Sequence, residues 1–381
     1  MEVNWVPPSP VERQLYEAGQ RGDVHAQLRV LAAEPLYLGQ ARHEVDAEPG
    51  LVRWRAVTAP NGGLCRVLLT RGMLPPWHPD WVFHEVDLDW VADFGWSDPR
   101  QWLAVNPGTP AAVHLPTAPQ DRALWRRFHA ENDRSTDDRL TALHTGPLFG
   151  PLAFGLACGA HLAVSNGVPW NEAGTVYVDY VSQRKMLRDS WDITDHHGWR
   201  HEMDALLEYS NSPAAPEYAL RVREQLRKNT GELPPADLWR ETAAGSLHDQ
   251  GAPPSLVTEM EELVRRILRY EARFRADGLL PGDGWVATAA AYDYGRAVNL
   301  ARWGLSARYC DPQQAEQAIV HAGALGKAAY PSWEAYSAGY TLGRVLRFDD
   351  ERYGPYYEDS LTAHRLLTDD EGSPWRNIPW R

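Results

Sequence analysis

The stretch "AYDYGRAVNLARWG", residues 291–304, reads as one helix, yet it carries Asp293, Arg296, Arg302 and Trp303. At 100° per residue, Asp293, Arg296, Leu300 and Trp303 fall on a single stripe. An acid and an arginine three residues apart can pair directly. Because the stripe runs on into Leu300 and Trp303, the pair is expected to face the interior. Buried charges persist only when paired and hydrogen-bonded, so the primary expectation is a polar network that holds helices together. The competing expectation is an enzyme site or small-anion receptor formed by Asp293, Arg296, Arg302 and Arg344.

Downstream, the pattern predicts helices over 311–329 and 332–348, within a helical region that starts near residue 147. Asp311-Pro312-Gln313-Gln314 places an acceptor at the cap and proline at the first position. In the next helix Trp333, Tyr336, Tyr340 and Arg344 share a face. Glu334 sits in its first turn, and Gly339 and Gly343 leave room for a close neighbour. The terminal "EGSPWRNIPWR" contains two prolines and is expected to pack as an extended tail carrying Trp375 and Trp380.

Upstream, residues 152–165 are apolar nearly all round and predict one buried helix. Residues 182–210 read as helix, stop, helix, with Thr194 or Asp195 as cap and Trp199, Met203, Leu206 and Leu207 as buried stripe. Residues 229–255 are rich in proline and glycine and read as a surface insertion. Thr258 and Glu261 have capping-box spacing. After them Met260, Leu263, Ile267, Tyr270 and Phe274 form a core seam. The opening helix itself is expected to span 285–305.

The first third has a different grain. Residues 11–31 predict two short helices broken at "QRGD". "LVRWRAVTA" and "CRVLLT" flank "PNGG", a hairpin signal, and extended pieces follow at 81–86, 101–105 and 112–115. The fold class is therefore α+β: a small, mostly antiparallel N-terminal sheet with flanking helices, then a mainly α-helical domain. The division is 1–118, a charged linker at 119–146 with a short helix around 121–128, and 147–381 with the insertion near 229–255.

"LAAEPLYLG", "CRVLLTRGML" and "WLAVNPGTPAAVHLP" resemble the SseB N-terminal-domain family over about residues 11–117. In that family the Asn-Pro-Gly turn joins a strand to a returning strand. Here Asn106-Pro107-Gly108 supplies one fixed negative φ and permits one positive φ. "AYDYGRAVNLARWGLSARYCDPQQAEQAI", "YPSWEAYSAGYTLGRVL" and "SPWRNIPW" resemble a bacterial family of unknown function numbered 1266, over about residues 148–381. By that resemblance Asp293, Arg296, Arg302, Trp303, Gly304, Trp333, Gly343 and Arg344 are the characteristic positions. Members often carry Ser-Trp-Glu-Glu where this chain has Ser332-Trp333-Glu334-Ala335. Ala335 cannot complete a capping box, which weakens that cap by ~0.5–1 kcal/mol.

The chain has 381 residues and a net charge of −13, which disfavours a nucleic-acid partner. Cys65, Cys158 and Cys310 lie far apart and fit neither a disulfide framework nor a thiolate metal site. Neither a signal peptide nor a membrane-length apolar run is visible, so a cytoplasmic location is expected. His197 and His201 are four apart, but without a third ligand an exposed histidine-rich turn is the better reading. His161 reads as a core histidine, and Cys158 three residues before it as packing. Standard nucleophile, phosphate-loop and zinc-protease motifs are missing. No cofactor is expected. The functional expectation is a non-catalytic module that holds a protein partner, of an accessory or immunity-like kind. Asp293, Arg296, Arg302, Trp303, Trp333, Glu334, Arg344 and Trp375 are expected to form its binding or structural network.

Overall fold

The computed structural model describes residues 5–58, 62–96, 101–132, 140–173 and 179–380. The N-terminal part contains α1 (Pro10–Gln20), α2 (Val24–Ala33), β1 (Leu36–Ala41), α3 (Arg42–Ala47), β2 (Val57–Thr58), β3 (Leu64–Thr70), β4 (Trp81–Val86), α4 (Leu88–Asp93), β5 (Trp102–Val105), β6 (Val113–Pro116) and α5 (Pro119–Glu131). The helical part contains α6 (Gly150–Cys158), α7 (Ala160–Ser165), α8 (Tyr180–Trp191), α9 (His196–Leu207), α10 (Ala214–Thr230), α11 (Ala236–Asp249), α12 (Pro254–Ala276), α13 (Ala291–Ser306), α14 (Pro312–Ala329), α15 (Trp333–Phe348), α16 (Pro355–Asp369) and α17 (Pro374–Asn377). The architecture is α+β.

The sheet runs β4-β1-β3-β5-β6, with β2 beside β3. It is mixed: β3 and β5 are parallel, whereas the other described pairings are antiparallel. Leu28, Leu31, Leu68, Leu103, Val113 and Trp125 pack into one core between the sheet and its helices. Expected strand "LVRWRAVTA" shrinks to Val57–Thr58, because Trp54 turns inward and donates its indole N–H to the Val67 carbonyl at 3.0 Å. The tip of that hairpin, at 59–61, lies outside the described residues. At the Asn-Pro-Gly turn both Asn106 (φ 51°) and Gly108 (φ 77°) are left-handed. The Asn106 side chain, fully buried, accepts from the Thr70 backbone N–H at 2.9 Å, which offsets its conformation.

The span read as a linker begins with α5, whose Trp125 and Phe128 are buried in the sheet's core. Most of its charged centre, 133–139, lies outside the described residues. Beyond it the chain is pinned: Trp170 N–H donates to Thr141 O at 2.9 Å, and Leu143 N–H to Asn171 Oδ1 at 2.8 Å. The two parts also meet directly. Trp77 donates to Leu305 O at 3.0 Å, Arg71 faces Glu172 at 3.4 Å, and Tyr180 donates to Asp46 at 2.8 Å.

Several helical boundaries differ from expectation. The apolar run 152–165 is two helices, α6 and α7, separated at Gly159. There the Asn299 side chain donates to the Gly159 carbonyl at 3.1 Å. Helix α13 begins at Ala291, not at 285, because Val286 N–H is taken by Glu271 at 2.8 Å and the preceding segment is irregular. Thr258 is no cap: α12 starts four residues earlier with proline in its first turn, and Thr258 Oγ1 bonds back to Pro254 O. Residues 236–249, inside the expected insertion, form α11, which buries Trp239. Single-residue composition concealed it, since prolines flank the helix and do not interrupt it. The tail is not wholly extended: Pro374 occupies the first turn of α17, where its missing N–H costs nothing.

The capping box at Asp311–Gln314 forms with both of its hydrogen bonds. Asp195 caps α9, and Ser332 caps α15 with only the half-box that Ala335 allows. A Cβ on Gly343 would meet Tyr292 Cβ at 2.6 Å, so α15 crosses α13 at a distance that only glycine permits there.

The helical part holds two cores. One gathers α6, α7, α13, α14 and the N-terminal half of α15 around Leu156, Leu300, Ile319 and Tyr336. The other gathers α10, α11, α12 and the far side of α15 around Trp239, Ile267, Phe274 and Leu342. None of the helices among the described residues is long and apolar enough to cross a membrane.

Candidate functional site

The residues singled out from sequence do not converge on one point. Every residue of α13 is buried. Asp293, fully buried, pairs with Arg296 and accepts from Ser212 Oγ at 2.5 Å and Ser212 N–H at 3.2 Å. Arg296 also lies over Tyr292, 4.2 Å from the ring centre. This is a sealed ion pair fed by a loop that follows α9. Ser212 was not legible, because it lies 81 positions from Asp293.

Arg302 points elsewhere. Six residues beyond Arg296 is 240° round the helix, and Arg302 donates to Pro169 O at 2.6 Å. Glu172 lies in its field; burial raises that carboxyl's pKa, and Arg71 and Arg302 oppose the shift. Arg344 faces Asp359 at 2.9 Å. Trp303 packs against Trp191 at 5.9 Å. Trp333 stacks on Trp375 at 5.5 Å and meets Trp380 edge-on at 4.6 Å. Its indole donates to Ile378 O at 2.9 Å, and Trp375 donates to Ala157 O at 3.0 Å. Glu334 is exposed in the first turn of α15, where a carboxylate suits the helix dipole.

Sequence reasoning missed a second buried pair. Arg223 grips Glu271 with two bonds of 2.9 and 2.8 Å, and lies 4.2 Å from the Trp239 ring centre. A signal existed: Glu271 falls four residues after Ile267, on the apolar phase of α12.

Behind the tryptophans lies a neutral polar chain. His161 Nε2 and His364 Nδ1 each lie 2.9 Å from Ser337 Oγ, and His161 stacks on Tyr340 at 4.1 Å. Burial holds His161 well below its usual pKa, with His364 and Arg344 adding like-charge repulsion; burial also lowers His364. The unfolded chain therefore binds more protons than the native one below about pH 6.5. Stability from these neutral rings is complete above that pH and is lost as pH falls toward the native pKa. Each neutral ring should cost roughly 1 kcal/mol per pH unit over that interval. His161→Phe should flatten the slope of melting temperature against pH between 7 and 5. An unchanged slope would show that His161 is not the titrating group.

Burial also raises the Cys158 thiol, as befits a packed and inert side chain. His197 and His201 are exposed. Among the described residues, no group of three or more His, Cys, Asp or Glu is placed to hold a metal ion.

A large open concavity lies on the N-terminal sheet, away from these charges. It has a volume of about 930 Å³, with walls that include Tyr37, Leu69, Trp77, Trp81 and Phe83. Its cause is a split in the sheet. β1 pairs with β3 only at Leu36 and Tyr37, and β2 takes over at Leu64 and Cys65. Arg308 closes one end from the C-terminus of α13. It has φ of 63°, donates to Leu305 O and Ser306 O at 3.0 Å each and to Trp81 O, and lies 5.0 Å from the Trp77 ring centre. Burial pushes its pKa down to about 10. Its left-handed backbone ends α13 in the usual way: it follows the cap residue Ala307, and Tyr309 N–H donates to Gly304 O at 2.8 Å.

The fold and its sealed ion pairs thus define an α+β protein with a helical array and no convergent catalytic constellation among the described residues. Residues 186–380, a little over half of the chain, match the family described as protein of unknown function (DUF1266), and the chain belongs to that family. Comparison with curated proteins and with solved structures gave no match.

Proposed function

We propose that this chain is a non-catalytic protein-binding module of a bacterial cytoplasmic protein, acting in an accessory or immunity-like role. In this reading the N-terminal part is an SseB-like unit that offers the binding surface, and the helical array is its support. The observation that carries it is that the buried charged residues of the helical array are paired in its interior, while an aromatic wall of the N-terminal part stands open. Asp293, Arg296, Arg302 and Arg344 each sit on protein partners, whereas the open concavity combines aromatic side chains with Arg53, Arg55 and Arg308. Trp81, at 50% exposure, is far more open than an indole of a finished core. Tryptophan is among the residue types enriched where protein partners are anchored. A small-anion receptor built on the Asp293 cluster has less support, because Asp293 already supplies the counter-charge of Arg296, whose Nε alone is buried without a partner among the described residues.

The test is affinity purification of the tagged full chain from source-cell extract, with partners quantified by mass spectrometry. Wild type should retain a partner that Trp81→Ala loses by about tenfold or more, the scale of a hot-spot truncation. Gln317→Ala, in a separate groove beside α9, should retain it. No specific partner, or one held equally by Trp81→Ala, would overturn the reading.

A further inference from the structure

The split sheet leaves main-chain groups of β1 facing the cleft. Arg42 N–H donates to Asp80 O across the β1–β4 ladder. In an antiparallel ladder such groups alternate between the two sides of a strand. Leu36, Leu38 and Gln40 therefore address β4, and Tyr37, Gly39 and Ala41 address the opposite side. Tyr37 meets β3 there, but among the described residues no strand pairs with Gly39 or Ala41 on that side. The edge is internal to the fold and open to the cleft, and unpaired strand edges readily accept another strand.

Two more donors point to the same chemistry. Gln40, at 2% exposure, lines the cleft, and its Nε2 has no acceptor among the described residues. Arg308 also lines it; its Nε is buried without an acceptor, and its described bonds go to carbonyls. A buried donor without an acceptor is costly, so an incoming acceptor gains more here than on open surface.

The charge of this face completes the case. A second hollow, about 550 Å³, adjoins the other side of α3. Together the two are lined by Arg53, Arg55, Arg184, Lys185 and Arg188, each already paired with Glu48, Glu44, Asp46 or Asp189, and by Arg308, which has no carboxylate partner among the described residues. The cation left for an incoming carboxylate on this face is therefore Arg308, whose described bonds go to carbonyls.

We propose that the cleft receives an extended, acidic segment of a partner protein, which adds as a strand along Gly39 and Ala41 of β1. Alternate side chains of an added strand point to opposite faces. One set enters the aromatic floor at Tyr37 and Phe83, and a carboxylate reaches Arg308. Main-chain bonds supply affinity and the pockets supply selectivity, as in other strand-addition complexes. The inference rests on the reading of the cleft as a protein-binding surface.

Selection of a displayed random dodecapeptide library on the full chain tests it. Enriched sequences should alternate aromatic or β-branched residues with Asp or Glu. A fluorescein-labelled selected peptide should bind with an anisotropy signal that weakens as salt rises. Methylating its alternate amide nitrogens, which removes strand donors without touching the protein, should weaken binding by about tenfold or more. Arg308→Gln should weaken it by about tenfold and reduce the salt dependence. Gly39→Val, whose Cβ would lie 3.3 Å from the movable Phe83 ring, should block it. Failure to enrich any peptide, enrichment of basic or neutral sequences, or indifference to amide methylation would each overturn the proposal. So would saturable binding of indole-3-acetate in place of any peptide. If those results came alongside a Trp81-dependent partner from extract, the strand chemistry alone would fall and the binding surface would stand.

Discussion

Asp293→Ala is expected to destabilise the helical array by about 3–5 kcal/mol, because it leaves a buried guanidinium without its counter-charge. The reasons lie in the geometry. Arg296 is 6% exposed and cannot swing into water without breaking its packing on Tyr292. Ser212 loses its acceptor for both its hydroxyl and its backbone N–H at the same moment. Thermal and urea denaturation of the variant measure the loss. The double variant Asp293→Leu/Arg296→Met should recover most of it, since an apolar pair of similar volume removes the stranded charge. A single variant as stable as wild type would mean that water reaches Arg296, and that the cluster is a cleft after all.

The second large effect belongs to Trp333→Ala, at about 3–5 kcal/mol for truncating a packed tryptophan. Trp333 is the centre of an aromatic nest in which Phe154 and Trp375 flank it and Trp380 meets its edge. Its indole also holds Ile378 by a main-chain bond. The variant should therefore do more than lower the melting temperature. It should free the last turn, so that trypsin cleaves after Arg376 well before the rest of the chain. Trp333→Phe keeps the stack and loses the bond, and should show the early cleavage with a smaller fall in stability. Equal resistance to trypsin in all three proteins would show that the tail is held by other contacts.

What could be read from the sequence follows the range of the interactions concerned. Local signals worked: the Asp311–Gln314 box, the Asp195 cap and the Trp199–Met203–Leu206 stripe depend on neighbours within a turn or two. The Asp293–Arg296 contact was legible for the same reason. Ser212 and Glu172 were not, because nothing in their own neighbourhoods shows that distant loops carry them to α13. Shared helix and shared site proved different things: Arg302 lies on the same helix as Arg296 and serves a different contact. The insertion was misread because proline and glycine were counted without their position. The prolines lie outside α11, where they do not interrupt it, and the one glycine within it, Gly245, is tolerated. The sheet was expected to be mostly antiparallel, and the parallel β3–β5 pair was invisible because strand order is set by tertiary packing. The cleft was invisible for a related reason, since it arises from a pairing that stops after two residues.

Helix α15 belongs to two interiors at once. Trp333, Tyr336 and Tyr340 face one, while Ala338, Leu342 and Val345 face the other. It works as a party wall, and neither room is watertight without it. Truncation between α9 and α13 would leave Leu342 and Val345 bare, so the fragment should aggregate and not fold. Evolution is under the same constraint: α10, α11 and α12 cannot be shed as a removable module while α15 keeps an oily second side.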